Sequence, residues 1–235
     1  MIVFEQVTKT FPTGSSALMD VSLTIEKGEF VFLVGPSGSG KTTFLRLLIR
    51  DMIPSKGRIT IDEIDITKLP GSKVSHLRKN IGVVFQDLKM LMDRTIDENI
   101  SLPLEMAKVD KKEIRKRVDE ILEQVGIIEH KDKFPIQLSG GELQRAAIAR
   151  ALIFSPTIIL ADEPTGNLDM TTSWEIVKLL QDINKSGTTV VMATHNTDII
   201  NNLLKRVIVL DKGHLAKDGK HDKHTVKKEE NGKSA

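Results

Sequence analysis

The stretch GPSGSGKTT, residues 35–43, follows the apolar run EFVFLV and leads into FLRLLIR, which has a helical pattern. It fits the spacing G-x-x-x-x-G-K-[ST] in the strand-then-helix setting that makes this spacing meaningful. Glycines at such a turn let backbone N–H groups converge on phosphate oxygens, and the helix that follows points its positive end at the same charge. Gly35, Pro36, Ser37, Gly38, Ser39 and Gly40 are the expected cradle, running through Thr43 into the helix. Lys41 supplies a cation for the terminal phosphates, and the Thr42 hydroxyl is placed for Mg²⁺.

A second group stands at TIILADEPTGNLD, residues 157–169, where a buried strand runs into two adjacent carboxylates. Neighbouring strand side chains point to opposite faces, so Asp162 and Glu163 can take separate tasks. Asp162 suits Mg²⁺, and Glu163 suits a water aimed at a terminal phosphate.

The third is LSGGELQRAAIAR, residues 138–150. Ser139 and Glu142 have the spacing of a capping box. Gly140 and Gly141 nonetheless occupy the first helical turn, where each costs about 1 kcal/mol relative to alanine. Without a Cβ at either position, an anion can approach the free N–H groups of the helix start. The chain thus carries two helix ends suited to phosphate.

These groups need a scaffold. IVFEQV and VSLTIE alternate like half-buried strands, EFVFLVG reads as a buried strand, and ITIDEIDI and IGVVFQ add further strands. KKEIRKRVDEILEQVGI reads as an amphipathic helix with Ile114, Val118, Ile121, Leu122 and Val125 on one face, a capping box at Asp110 and Glu113, and Gly126 past its end. Helices then alternate three times with the apolar strands TIILAD, TTVVMAT and RVIVL, which implies a parallel sheet covered on both faces. The expected fold class is α/β: a mixed, largely parallel sheet core, an antiparallel β side layer from the early strands, and a helical lobe over about 88–150. Residues 214–235 are polar and are expected to form a flexible tail.

Composition narrows the setting. The formal net charge is +2 over 235 residues, so no bulk excess of charge points to nucleic acid. Cysteine is absent, which removes disulfides and thiolate metal sites. No stretch approaches the roughly 18 apolar residues of a membrane span. The chain is therefore expected to be cytosolic and to reach a membrane only by docking on a partner.

Three more residues carry little alone. Phe11 suits plain packing, Gln86 merely ends a strand, and His195 at the end of TTVVMAT suits a structural or solvated role. In order, however, Phe11, GPSGSGKTT, Gln86, LSGGE, IILADE, NLD and His195 resemble the ABC-type ATPases over about residues 1–213. The resemblance implies a P-loop NTPase fold of ABC type, with ATP and Mg²⁺ as ligands. It implies that Phe11 stacks on adenine, where many relatives carry tyrosine, and that Gln86 helps hold Mg²⁺ and senses a membrane partner. His195 would contact the γ-phosphate, and Asp169 would link the two sites of a dimer. Two copies would pair head to tail on ATP binding, with Ser139, Gly140, Gly141 and Glu142 of one closing on the nucleotide held by the other.

ADEPTGNLD and SHLRKNIGVVFQDLKML further resemble the branch that serves mechanotransmission complexes, and RDMIPSKG and GTTVVMATHN resemble its cell-division members. That branch implies a separate integral membrane partner and control of cell-wall hydrolases. Lipoprotein-release and macrolide-efflux ATPases are the alternatives within it. A soluble ABC protein acting on nucleic acid or ribosomes usually needs a long coiled coil or a second ATPase domain, and the sequence shows neither. A nucleotide sensor without turnover would not need Glu163.

Overall fold

The computed structural model describes residues 1–220 of the chain. In chain order its elements are β1 (Ile2–Thr10), β2 (Ser16–Ile25), β3 (Phe30–Val34), α1 (Lys41–Leu48), β4 (Lys56–Ile61), β5 (Ile64–Asp65), α2 (Gly71–Lys79), β6 (Ile81–Val84), α3 (Ile96–Met106), α4 (Lys111–Val125), α5 (Gly140–Leu152), β7 (Ile158–Asp162), α6 (Met170–Lys185), β8 (Thr189–Ala193), α7 (Thr197–Leu203), β9 (Arg206–Asp211) and β10 (His214–Lys220). They form two compact units, residues 1–70 with the return segment from Val191, and residues 71–190.

In the first unit β2, β1, β4 and β5 form the expected antiparallel side layer. Ile2, Phe4 and Val7 of β1 are buried. The jump from Phe4 to Val7 breaks strict alternation. A register shift falls there, with Gln6 at φ 48°, and this bulge turns Val7 back inward. Phe4 stacks on Phe44 of α1 with centroids 4.3 Å apart, which anchors the helix after the phosphate loop on the side layer. β3 pairs in parallel with β9, Val31 opposite Arg206 through Val34 opposite Val209. Phe30 to Leu33 are all buried, which is why this strand reads as an unbroken apolar run.

The tail expected from His214 begins later. His214–Lys220 is β10, antiparallel to β9 from Asp211 to Arg206. Its residues alternate between exposed and half-buried, so it holds its place by backbone pairing instead of by an apolar face, and composition gave no sign of it. Arg206 adds ion pairs to Asp218 at 2.6 Å and Glu29 at 3.0 Å. The remainder of the expected tail, residues 221–235, lies outside the described residues.

The second unit is larger than the 88–150 lobe. It also holds α2, α6 and the parallel pair β6 and β7, in register from Ile81 opposite Ile158 to Val84 opposite Ala161. The reason is connectivity: α3, α4 and α5 pack on one another, but α5 also lies on β6 and runs straight on towards β7. α4 buries Ile114, Val118, Leu122 and Val125, and Gly126 ends it at φ 73°, as read from the sequence. Its expected capping box does not form. Asp110 caps alone, accepting from the Lys112 N–H, because Glu113 instead takes Arg117 one turn on at 2.7 Å.

Candidate functional site

In the first unit the phosphate loop leaves β3 and enters α1 through Gly40. Gly40 sits at φ 110°, and a Cβ there would lie 2.4 Å from the Ala17 carbonyl oxygen, so only glycine fits. As the N-cap residue it has no side chain, and none caps α1, which suits a helix start meant for an exogenous anion. The Ser39 hydroxyl is buried in the loop without a hydrogen-bond partner among the described residues, an orphaned polar atom of the kind a ligand oxygen satisfies. The Lys41 ammonium lies across the loop, donating to the carbonyls of Gly35 at 2.6 Å and Pro36 at 3.2 Å. These features fit a polyphosphate.

Phe11 sits in the turn between β1 and β2. Its N–H donates to Ser15 O, and its half-exposed ring has the Lys9 ammonium 5.9 Å from its centroid. Ala17, just past that turn, is the residue that Gly40 approaches. His195 is exposed directly after Thr194, whose N–H donates to Leu33 O in β3, two residues before Gly35. Asn196, next in the chain, caps α7 by accepting from the N–H groups of Asp198 and Ile199. Phe11, the loop and His195 therefore share one end of this unit.

In the second unit the β6–β7 register carries Gln86 out at the same end as Asp162 and Glu163. Gln86 is exposed and both carboxylates are half-buried. The separation of the two carboxylates does not come from strand pleating, as the alternation argument expects. β7 ends at Asp162, and Glu163 lies beyond it at φ 49°, a left-handed conformation costly for a side chain of its kind. The turn that follows is closed by the Gly166 N–H donating to Glu163 O. Glu163 is thus set by a strained turn.

The box at the start of α5 forms as expected. The Glu142 carboxylate accepts from the Ser139 N–H at 2.7 Å and from its hydroxyl at 2.8 Å, and Ser139 Oγ accepts from the Glu142 N–H. Sequence reasoning missed His130, whose Nε2 lies 2.9 Å from the other Glu142 oxygen; nothing in the local pattern ties residues twelve apart across a turn. Beside this helix start lies a groove of about 310 Å³, bounded by Ser139 to Glu142 on one side and by Asn167, Leu168, Asp169 and Thr172 on the other. Asp169 caps α6, accepting from the Thr172 N–H at 2.9 Å and its hydroxyl at 2.6 Å. The glycines have a second reason beyond anion approach. A Cβ at Gly141 would lie 2.6 Å from the Thr172 methyl carbon, and one at Gly140 3.2 Å from Leu168 Cδ2.

Both capping carboxylates are acidified. Hydrogen bonds from the Ser139 backbone and hydroxyl hold Glu142 below its ordinary value of 4.5, with His130 adding to the effect. Thr172 does the same for Asp169, ordinarily at 3.8. A depressed folded-state pKa contributes stability that is fully present above the unfolded value and is lost as pH falls through the folded one. Both caps therefore hold at neutral pH and fail in acid below the usual carboxylate range. NMR titration of Ser139→Ala should find the Glu142 carboxyl moved up towards its ordinary value; an unmoved titration would show that the serine is not its anchor.

Each unit thus presents a glycine-bearing helix start suited to an anion, beside residues suited to polyphosphate chemistry, and comparison with known proteins says which class this is. The ABC transporter family model matches residues 18–166. The chain belongs to this family and is an ABC-type ATPase. The cell division ATP-binding protein FtsE of Bacillus subtilis (strain 168) is 47% identical over 218 residues, covering 93% of this chain and 96% of that protein. FtsE of Escherichia coli (strain K12) is 45% identical over 215 residues, covering 92% and 97%. Among solved structures, a dimeric ATP-binding cassette in a post-hydrolysis state, bound to ADP and Pi, matches with a TM-score of 0.85 at 38% identity, covering 94% of this chain and 98% of that one.

Proposed function

We propose that this chain is the ATP-hydrolysing subunit of a cell-division complex. It acts as a peripheral protein on the cytoplasmic face of the cell membrane, bound to an FtsX-like integral membrane protein, and its ATP-driven dimer closure is transmitted across the membrane to regulate peptidoglycan hydrolases. The observation that carries the reading is the pair of glycine-bearing helix starts suited to an anion, α1 and α5, in a chain with one phosphate-loop sequence. A second copy gives the surplus site its use, and the solved relative with ADP and Pi is a dimer. Near-full-length similarity to FtsE proteins supports the cell-division assignment.

In this reading Phe11 stacks on adenine, residues 35–43 hold the phosphates, Glu163 polarises the attacking water and His195 contacts the γ-phosphate. The start of α5 closes on the nucleotide of the second copy, and Asp169 links the two sites. Thr42, Gln86 and Asp162 would hold Mg²⁺. Their donors are a hydroxyl, an amide oxygen and a carboxylate, a set of hard oxygens that fits this cation. Bound there, the cation would offset charge developing on the phosphate oxygens.

No helix among the described residues is long and apolar enough to cross a membrane; in this reading the partner supplies the span. The segment after Gln86, Leu88 to Met92, is the candidate docking surface. Leu91 and Met92 are 36% and 53% exposed, while Leu88 and Met90 are half-buried. Exposed Met and Leu suit contacts with a partner helix. Replacing Met90 and Met92 by glutamate should abolish copurification of the membrane protein and leave ATP binding intact. A complex formed as well as before would remove this surface from the reading.

A further inference from the structure

The stretch that starts at the serine cap ends on Arg150, in the last turn of α5. The guanidinium of Arg150 donates to two consecutive carbonyls, Leu88 at 2.5 Å and Lys89 at 2.7 Å. Leu88 and Lys89 are both in left-handed backbone, at φ 55° and 52°, a conformation that residues with side chains rarely adopt and that persists where surroundings impose it. The loop's own bonds are short-range, from the Leu88 N–H to Phe85 O and from the Lys89 N–H to Asp87 O. The Arg150 fork is what ties this pair of residues to a helix. Burial pushes the guanidinium pKa down, so the charge is drawn from water and rests on these carbonyls.

The next residues are held from elsewhere. Asn99 of α3, 1% exposed, accepts from the Leu91 N–H at 2.8 Å and donates to the carbonyls of Leu91, Arg94 and Thr95. Residues 91–95 therefore follow α3, and residues 88–89 follow α5. The 13 residues of α5 make a rod roughly 20 Å long, with its anion-accepting start at one end and Arg150 at the other.

We propose that Arg150 is a positioning residue that joins the nucleotide-closing end of α5 to the segment after Gln86, so that displacement of α5 on closure is delivered to residues 87–90. This deepens the proposed function and rests on it for the identity of the cargo, since residues 88–92 are the surface there assigned to the membrane partner. The joint itself is tested on the chain alone.

Amide hydrogen exchange is measured on the full chain carrying Glu163→Gln, with and without ATP and Mg²⁺, in three backgrounds: Arg150 intact, Arg150→Met and Arg150→Lys. With Arg150 intact, nucleotide should change the protection of residues 87–90 by about tenfold or more. In Arg150→Met that response should vanish, and basal exchange of Leu88 and Lys89 should rise, while the phosphate loop keeps its nucleotide-induced protection. Arg150→Lys, which keeps the charge but loses the planar fork, should respond partially; it carries the test if the methionine variant does not fold. Asn99→Leu should loosen 91–95 and leave the response of 87–89 in place. A full response in Arg150→Met, no response with Arg150 intact, or a response abolished only by Asn99→Leu would each overturn the proposal. Failure of the docking surface is read separately, from copurification with the Met90 and Met92 variants.

Discussion

Glu163→Gln should lower ATP turnover by about 10³-fold, in the middle of the range of roughly 10² to 10⁴ that a positioned general base supplies. Glutamine keeps the size and hydrogen-bonding reach of the side chain but cannot take a proton from water. The φ of 49° at this position costs a glutamine as much as a glutamate, so the turn after β7 should survive the change. ATP binding should be retained, because the cradle of residues 35–43 and Lys41 is untouched. With one negative charge removed from the neighbourhood of the triphosphate and no route to hydrolysis, the ATP-bound dimer should accumulate. Phosphate release measures the first effect, and size-exclusion chromatography with ATP and without it measures the second. Turnover within about tenfold of the parent would mean that another group activates the water.

Gly141→Ala should cost about 10²-fold in turnover, the scale of a displacement of about 1 Å in a closing catalytic surface. Two opposing effects act on stability. The new methyl would lie 2.6 Å from Thr172 Cγ2, and such overpacking costs about 1–3 kcal/mol. Alanine in the first helical turn returns about 1 kcal/mol of helix propensity. The net loss of zero to about 2 kcal/mol should lower the melting temperature by zero to about 8 °C, since about 2–4 °C accompany each kcal/mol in a chain of this size. Thr172 cannot rotate away freely, because its hydroxyl holds Asp169 at 2.6 Å.

The double variant Gly141→Ala, Thr172→Ser separates the two reasons for the glycine. Serine removes the methyl and keeps the hydroxyl for Asp169. The melting temperature should then return to that of the parent. Turnover should stay low, because the alanine still blocks close approach of phosphate to the start of α5. Recovery of both would show that packing within the chain is the whole reason for Gly141, and the trans-nucleotide role would be lost for this residue.

Much of this architecture is legible in the sequence because it is local. The phosphate loop, the Ser139–Glu142 box and the Gly126 helix end each depend on residues within a few positions of one another, where composition and spacing fix the hydrogen bonds that can form. The core strands are legible for a related reason: strands buried on both faces, such as β3, must be apolar throughout. The same local logic fails where a nearby competitor exists, as when Glu113 takes Arg117 instead of closing a box with Asp110. It fails again at Glu163, where a turn replaces the alternation of a strand.

By itself, then, the sequence determined that this chain carries two glycine-bearing helix starts suited to phosphate and which side chains stand beside each. Only the tertiary structure decided what those side chains lean on. Gly141 meets Thr172 across two helices, His130 reaches Glu142, β10 pairs with β9 despite its polar composition, and Arg150 grips Leu88 from 62 residues away. Contacts at that separation follow from how finished helices and strands pack, and no spacing rule along the chain encodes them.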